Sequence, residues 1–252
     1  MNINKDTEAI DGLPILFIRP LSALVCSDLH LGYEGVAAEK GIMLPKINFR
    51  KIKEQIKLAQ DHAHASSIII NGDIKNEFSK VHTEEFNEFN DLVKYLKRDL
   101  GIKNVTLIKG NHDNFIDRLE KPLGVRVERQ QVLMDNFLFF HGEEPPDLNE
   151  EKVLVMGHLH PCISIYSSLG IKEKLRCFLV GKTRSNKELI ILPAMNYFSE
   201  GIEINSPSKP KLSGVLSSIA DINSMRALCI CEEETLDFGT IHDLTLLSNK
   251  IL

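Results

Sequence analysis

The 252-residue chain predicts an α/β fold, a four-layer αββα sandwich of two mixed β-sheets packed face to face with helices outside. Three observations predict it. Strand-like and helix-like segments alternate as far as Ile108, apolar runs crowd together after Val125, and short polar clusters close five of those runs. Strand–helix–strand rhythm implies right-handed crossovers and a parallel sheet. Closely spaced strands imply hairpins and a mixed or antiparallel one.

The first strand-like run is Ala23–Cys26, followed by Ile68–Ile70 and Val105–Ile108. Between them, Ile52, Ile56, Ala59 and Ala63 recur at helical spacing in residues 48–65. Phe86, Phe89, Leu92, Val93 and Leu96 do so in residues 84–100, with Gly101 as the stop. Asp135-Asn136 separates Gln131–Met134 from Phe137–Phe140, a hairpin signal. Val153–Met156, Arg176–Val180 and Leu189–Leu192 continue the second sheet. Cys229-Ile230-Cys231 alternates as a strand with both thiols on one face, and with Thr235–Phe238 it is expected to complete that sheet. Residues 1–252 are read as one domain, and the Ser/Pro-rich stretch 205–210 as a surface loop.

Composition narrows the function. A net charge of -5 argues against a broad basic surface for nucleic acid, and the absence of Trp with 6% aromatics argues against an extensive base-stacking platform. Five cysteines form no regular framework, and no run approaches the roughly 20 apolar residues of a membrane span. The expected setting is the cytoplasm, away from membranes, with thiols reduced.

The chemistry lies in five clusters. They read Ser27-Asp28-Leu29-His30, Asn71-Gly72-Asp73, Lys109-Gly110-Asn111-His112-Asp113, Phe140-His141-Gly142 and Met156-Gly157-His158-Leu159-His160. Each follows a strand-like run, so all are delivered to the carboxyl edge, where open α/β sheets bind ligands. Asp28-x-His30 and His158-x-His160 alternate, so on extended backbone each pair points to one side, and Pro161 keeps His160 out of α conformation. Carboxylates, imidazoles and an amide in this number are enough for two divalent cations. His62, His64, His82 and His242 lie apart from the clusters and are given no role.

In this order the clusters resemble the signature of the calcineurin-like metallophosphoesterase superfamily: D-x-H, G-D, G-N-H-[DE], H and G-H-x-H. All elements are present across residues 28–160. Asp28-Leu29-His30-Leu31-Gly32, Glu39-Lys40-Gly41-Ile42, Leu44-Pro45 and Gly157-His158-Leu159-His160-Pro161 are similar to the single-domain, SbcD-related phosphoesterases of archaea and the bacterial DNA-ligase-associated ones. Leu192-Pro193-Ala194-Met195-Asn196 extends the resemblance to about residue 200. Asn76 departs from it, standing where relatives often carry His.

The resemblance implies a first metal held by Asp28, His30, Asp73 and His160. Asp73 would bridge to a second, held also by Asn111, His141 and His158. His112 would be the catalytic imidazole, oriented by Asp113. The cofactors implied are two divalent ions, Mn²⁺ favoured, with Fe or Zn²⁺ as alternatives; ligation without thiolate suits them. Two ligand carboxylates offset only half of the +4 charge, which favours a hydroxide and a phosphodiester monoanion as the remaining anions. The expected activity is hydrolysis of small or terminal phosphodiesters, with a nucleotide or nucleic-acid end as substrate and room for a DNA-repair partner. A nuclease, a phosphomonoesterase and a non-catalytic interaction module are the alternatives. Tyr33, Glu34, Lys75, Asn76, Asn114 and Glu143, close to the ligands, are candidates for contacting substrate, with Lys182 and Arg184 as candidate groove residues.

Overall fold

The computed structural model describes residues 1–77, 83–114, 116–166, 171–206 and 214–251. His82 and residues 207–210 of the expected loop lie outside the described residues. The first sheet runs β1 (Thr7–Ala9), β2 (Leu16–Ile18), β3 (Ala23–Cys26), β4 (Ser67–Asn71), β5 (Asn104–Ile108) and β6 (Arg126–Glu128), in that spatial order. β1, β2 and β3 pair antiparallel, and β3 to β6 pair parallel.

The second sheet holds β7 (Gln131–Met134), β8 (Phe137–Phe140), β9 (Val153–Met156), β10 (Pro161–Tyr166), β11 (Lys172–Lys182), β12 (Glu188–Ile191) and β13 (Ile202–Glu203). It is mixed: β9 is parallel to both β8 and β12, while β7–β8, β10–β11 and β11–β12 are antiparallel. The long β11 serves β10 through its first half, and β12 and β14 (Arg226–Cys231) through its second. β15 (Glu234–Thr240) closes a hairpin with β14.

Three apolar layers explain why the strands read as unbroken apolar runs: both faces are buried. Val25, Ile69, Ile108, Phe139, Val155, Phe178 and Ile190 meet between the sheets. Their neighbours Leu24, Cys26, Ile68, Ile70 and Leu107 turn outward onto helices α2 (Asn48–Ala63) and α3 (Thr83–Lys94). On the far side Leu154, Met156, Cys177, Leu179 and Cys229 meet α5 (Gly214–Ile219) and α6 (Ile241–Ile251). Cys231 packs on that same layer, so both thiols face α5 and α6. Each fully buried Ile, Leu or Phe contributes about 1.5–3 kcal/mol, so the sandwich rests on these two-sided strands.

The helices are anchored by long-range polar groups. No side chain of its own caps α2; Oε1 of Glu34, in the short α1 (Tyr33–Glu39), accepts from the amides of Ile47 and Asn48 at 2.9 and 2.7 Å. Glu34, a candidate for substrate contact, is therefore buried structure. α3 runs into one π turn at Tyr95–Asp99 and stops at Gly101, whose φ is +69°. A four-residue helix, α4 (Glu120–Leu123), precedes β6.

Candidate metal centre

Adjacent strands β3, β4 and β5 of one sheet, and β8 and β9 of the other, end side by side. Their loops carry every residue singled out above as a ligand. Asp28 N donates to Gly72 O and His30 N to Asp73 O, which locks the first two loops together. Gly157 N donates to His141 O, which locks the last two. Leu29 and Leu159, the residues between paired ligands, are 0 and 1% exposed and plunge into the outer apolar layers on opposite sides of the sandwich.

The backbone of those pairs is not extended, contrary to the sequence expectation. Asp28, His30, Asp73, His158 and His160 have φ of +58, +45, +49, +67 and +47°. Among the described residues, five of the ten non-glycine residues with positive φ are thus candidate ligands. Such conformations cost of order 1–3 kcal/mol each and gather at functional sites. The turns between them aim the side chains inward while the intervening leucines stay buried.

The candidate ligand atoms of Asp28, His160, His30, Asp73, His141 and His158 form a continuous row. Asp28 Oδ1 lies 3.0 Å from His160 Nε2, which lies 3.4 Å from His30 Nε2. His30 Nε2 is 3.9 Å from Asp73 Oδ2, which is 3.4 Å from His141 Nε2, itself 3.2 Å from His158 Nδ1. Two atoms each about 2.1 Å from one cation, at tetrahedral to octahedral angles, lie about 3.0–3.5 Å apart. Asp28, His30 and His160 group at one end, and Asp73, His141 and His158 at the other. Asp28 Oδ1 and Asn111 Oδ1 are buried without a hydrogen bond among the described residues, although His160 Nε2 stands so near the former. An acceptor left bare beside an imidazole nitrogen, as Asp28 Oδ1 is, fits a divalent cation better than it fits the ring.

Electrostatics agree. Burial opposes charge on Asp28 and Asp73, yet His160 beside the first and His141 beside the second hold both carboxyls below their usual range. Burial would also lower the imidazoles, and takes His30 down to about 4. Against burial, Asp73 and Asp28 raise His141 to about 10, and Asp28 raises His160. The carboxylates therefore favour positive charge at both ends of the row, where a cation would take the place of protons.

Surrounding groups orient these candidate ligands. Asn71 O accepts from Ser27 Oγ at 2.9 Å and lies 3.0 Å from His141 Nδ1. Asn71 Nδ2 crosses to the second sheet and donates to Phe140 O and Val155 O at 3.0 and 3.2 Å. His160 Nδ1 lies 2.9 Å from Ser199 Oγ. Asn196 Nδ2 reaches Leu29 O at 3.4 Å. Gly72, with φ +94°, passes so near His141 that a Cβ would stand 2.0 Å from Nδ1.

His112 faces the row, with Nε2 3.8 Å from Asp73 Oδ2 and its ring edge-on to His30 at 5.0 Å. Its Nδ1 lies 2.6 Å from Asn76 O, so a backbone carbonyl orients it. This corrects the expectation for Asp113. That carboxyl is fully buried and accepts from the amides of Ile74, Lys75 and Gly110, tying the second loop to the third. Burial, then the charge of Asp73, pushes it up to about 7.

Lys75, another substrate candidate, is buried against Glu85 at 4.0 Å, and its Nζ donates to Glu77 O. Lys182 bonds Asn186 at 3.0 Å and Arg184 bonds Ser217 O at 3.2 Å; among the described residues no hydrogen bond joins either to the row. Ser27, Asn48, Asn71, Asn196 and Ser199 are supporting residues that sequence reasoning gave no role. The Asn71-Gly72-Asp73 and Pro193-Ala194-Met195-Asn196 clusters were the signals available for Asn71 and Asn196.

Carboxylates and imidazoles gathered at the strand ends of two packed sheets define a metal-dependent hydrolase. The chain belongs to the calcineurin-like phosphoesterase family, whose model matches residues 21–181. Comparison with curated proteins gave no match. Among solved structures, the crystal structure of Pseudomonas putida nuclease MPE is similar over 91% of this chain and 94% of its own, at 19% identity and TM-score 0.63. That likeness shows the fold. YfcE, a phosphoesterase from E. coli, aligns over 86% of this chain and 98% of its own at 16% identity, with TM-score 0.41. Among the described residues no helix is long and apolar enough to cross a membrane.

Proposed function

We propose that this phosphoesterase is a two-metal phosphodiesterase acting on small or terminal phosphodiesters. Asp28, His30, Asp73 and His160 would hold the first ion, and Asp73, Asn111, His141 and His158 the second. The observation that carries this reading is the unbroken row of ligand atoms with Asp73 Oδ2 in its middle, within 3.9 Å of an imidazole on either side. Two bound cations would supply an activated water and a clamp on the phosphoryl oxygens. Mn²⁺ is the favoured ion, with Fe and Zn²⁺ as alternatives, because oxygen and imidazole donors without thiolate suit these metals.

The chain's own residues then account for the rest. Asn71 O and Ser199 Oγ fix the rings of His141 and His160 through Nδ1, leaving Nε2 toward the row. Asn76 O accepts from His112 Nδ1–H, which turns Nε2 toward the row, and a proton carried there would be placed to donate to a departing alkoxide. A cavity of about 380 Å³ opens beside His141 between Lys109, Gln130 and Glu143, room for one of the two ester groups. The hydrogen-bonded attachment of β14 to β11, and of β15 to β14, supports reading residues 1–252 as one domain.

The test is a panel with Mn²⁺-loaded protein: an aryl phosphodiester, an aryl phosphomonoester and short oligonucleotides, with bound metal counted by elemental analysis. Two metals per chain and preferred cleavage of diesters are expected, and His141→Ala should abolish both metal retention and turnover. Undiminished activity in that variant would overturn the assignment. Preference for oligonucleotides over small diesters would move it to a nuclease.

A further inference from the structure

We propose that Tyr33, Tyr197 and Phe198 form a shelf beside the first-metal end of the row that stacks the nucleobase of the substrate. The inference rests on the phosphodiesterase reading and narrows it to nucleotide-containing diesters.

Tyr33 and Phe198 are stacked at 5.6 Å with rings 15° from parallel, and Tyr197 meets Phe198 edge-on at 5.4 Å. Both segments that carry these rings hang from the ligands. Tyr33 follows His30 by three residues, and Ser199, next to Phe198, touches His160 Nδ1. Asn196 N donates to Asp28 O at 3.1 Å. A phosphate bound through an ion at Asp28, His30 and His160 would therefore have this shelf on the side of one ester substituent.

The segment is rigid where it is polar and open where it is aromatic. Tyr197 N donates to Asn48 Oδ1 at 2.8 Å, Arg176 donates to Tyr197 O at 2.7 Å, and Phe198 N donates to Asn196 Oδ1 at 2.8 Å. Yet the Tyr197 side chain is left with the residue 47% exposed. A fixed backbone presenting a half-open ring gives up little entropy when a flat partner covers it. Among the described residues, the cations that bond to this segment are engaged. Arg176 is spent on Ala194 O and Tyr197 O, and Lys174 is paired with Glu200 at 2.7 Å. A flat, uncharged group fits better than a polyphosphate. Three rings suit about one base, which is compatible with the low aromatic content of the chain.

Stacking on an aromatic side chain favours any base over none, because every base has a π-face. With Mn²⁺-loaded protein, kcat/KM is compared for thymidylyl-thymidine and for the same diester with one sugar abasic. Tyr197→Ala should shrink the preference for the base-bearing substrate about tenfold, and Tyr197→Phe should restore it. An unchanged ratio in Tyr197→Ala would overturn the shelf.

A second measurement needs no turnover. The chain has no Trp, so Tyr197→Trp introduces a single indole reporter. Thymidine 5′-monophosphate should quench it at concentrations where deoxyribose 5-phosphate does not; equal response to both would refute base stacking. Quenching in a metal-loaded protein that cleaves no diester would preserve the shelf while refuting the hydrolytic reading.

Discussion

Gly110→Ala adds one methyl group at the centre of the proposed site. Its Cβ would stand 2.3 Å from Asp73 Oδ1, 2.5 Å from Asp73 N and 2.8 Å from His141 Nε2. Non-bonded contact requires about 3.5 Å, so the carboxylate must retreat by about 1 Å and the imidazole by roughly 0.7 Å. Because one clash is with a backbone amide, a rotamer change cannot relieve it. The conformation of Gly110 is not the cause, since it is absent from the positive-φ glycines and alanine could adopt its backbone. Overpacking of this kind costs about 1–3 kcal/mol, whereas a 1 Å misplacement at a reacting centre costs about 10²-fold in rate. Elemental analysis after Mn²⁺ loading should give fewer than two metals per chain, with turnover of an aryl diester at least about 100-fold down. Gly239→Ala is the control: its φ of +86° strains an alanine, by about 1–3 kcal/mol, far from the ligands. It should lower the melting temperature and leave the metal count at two. Full metal content and rate in Gly110→Ala would refute the placement of Asp73 and His141 around shared ions.

Removing Asn71 Nδ2 from between the two sheets forfeits two buried hydrogen bonds and leaves a small void. Asn71→Ala should lose about 2–4 kcal/mol in urea denaturation, and an unaltered midpoint would show that the bridge is dispensable. Glu88, whose Oε2 accepts from Gly32 N, is pushed up to about 7, chiefly by burial and then by Glu34 and Glu84. Between about 4.5 and 7 the folded state keeps a proton that the unfolded chain has released, so stability falls as pH rises through that window. The full shift corresponds to about 3 kcal/mol, which screening at a half-exposed group reduces to about 1–2 kcal/mol. Metal-free Glu88→Gln should therefore melt roughly 2–8 °C above the parent at pH 8, with the gap closing toward pH 4.5. Saturation with Mn²⁺ at 100 times the dissociation constant should add about 2.7 kcal/mol of stability per site, read as a melting shift reversed by chelator. A chain indifferent to both Mn²⁺ and chelator holds no ion in this row.

The parts of the fold that were legible in the sequence are those governed by local periodicity. Ile68–Ile70 and Val153–Met156 are apolar on both faces because a layer lies on each side, and the 52-56-59 spacing marks the buried stripe of α2. The hairpin of β1 and β2 escaped notice because three-residue strands with a Glu or Phe in the middle show no period. α1 is only seven residues long and begins after Gly32 with no side-chain cap. At the site, the identity of the candidate ligands was legible but their backbone was not. Alternation in Asp28-Leu29-His30 reads as a strand, whereas the chain turns left-handed at both ends of the triplet. Glu34 and Asp113 were misread for one reason: each satisfies amides distant in sequence, and no local pattern announces such a partner.

Left-handed backbone at five candidate ligands also limits what evolution or engineering can install there. Aspartate, asparagine and histidine tolerate that region several-fold better than other side chains, and β-branched or bulky ones hardly enter it. The permitted alphabet at positions 28, 30, 73, 158 and 160 is thus biased toward oxygen and imidazole donors before any coordination chemistry is considered. Drift toward a thiolate cage, and with it toward softer ions, meets resistance from the main chain itself. Main-chain torsion thereby becomes a second filter on which elements of the periodic table this pocket can recruit.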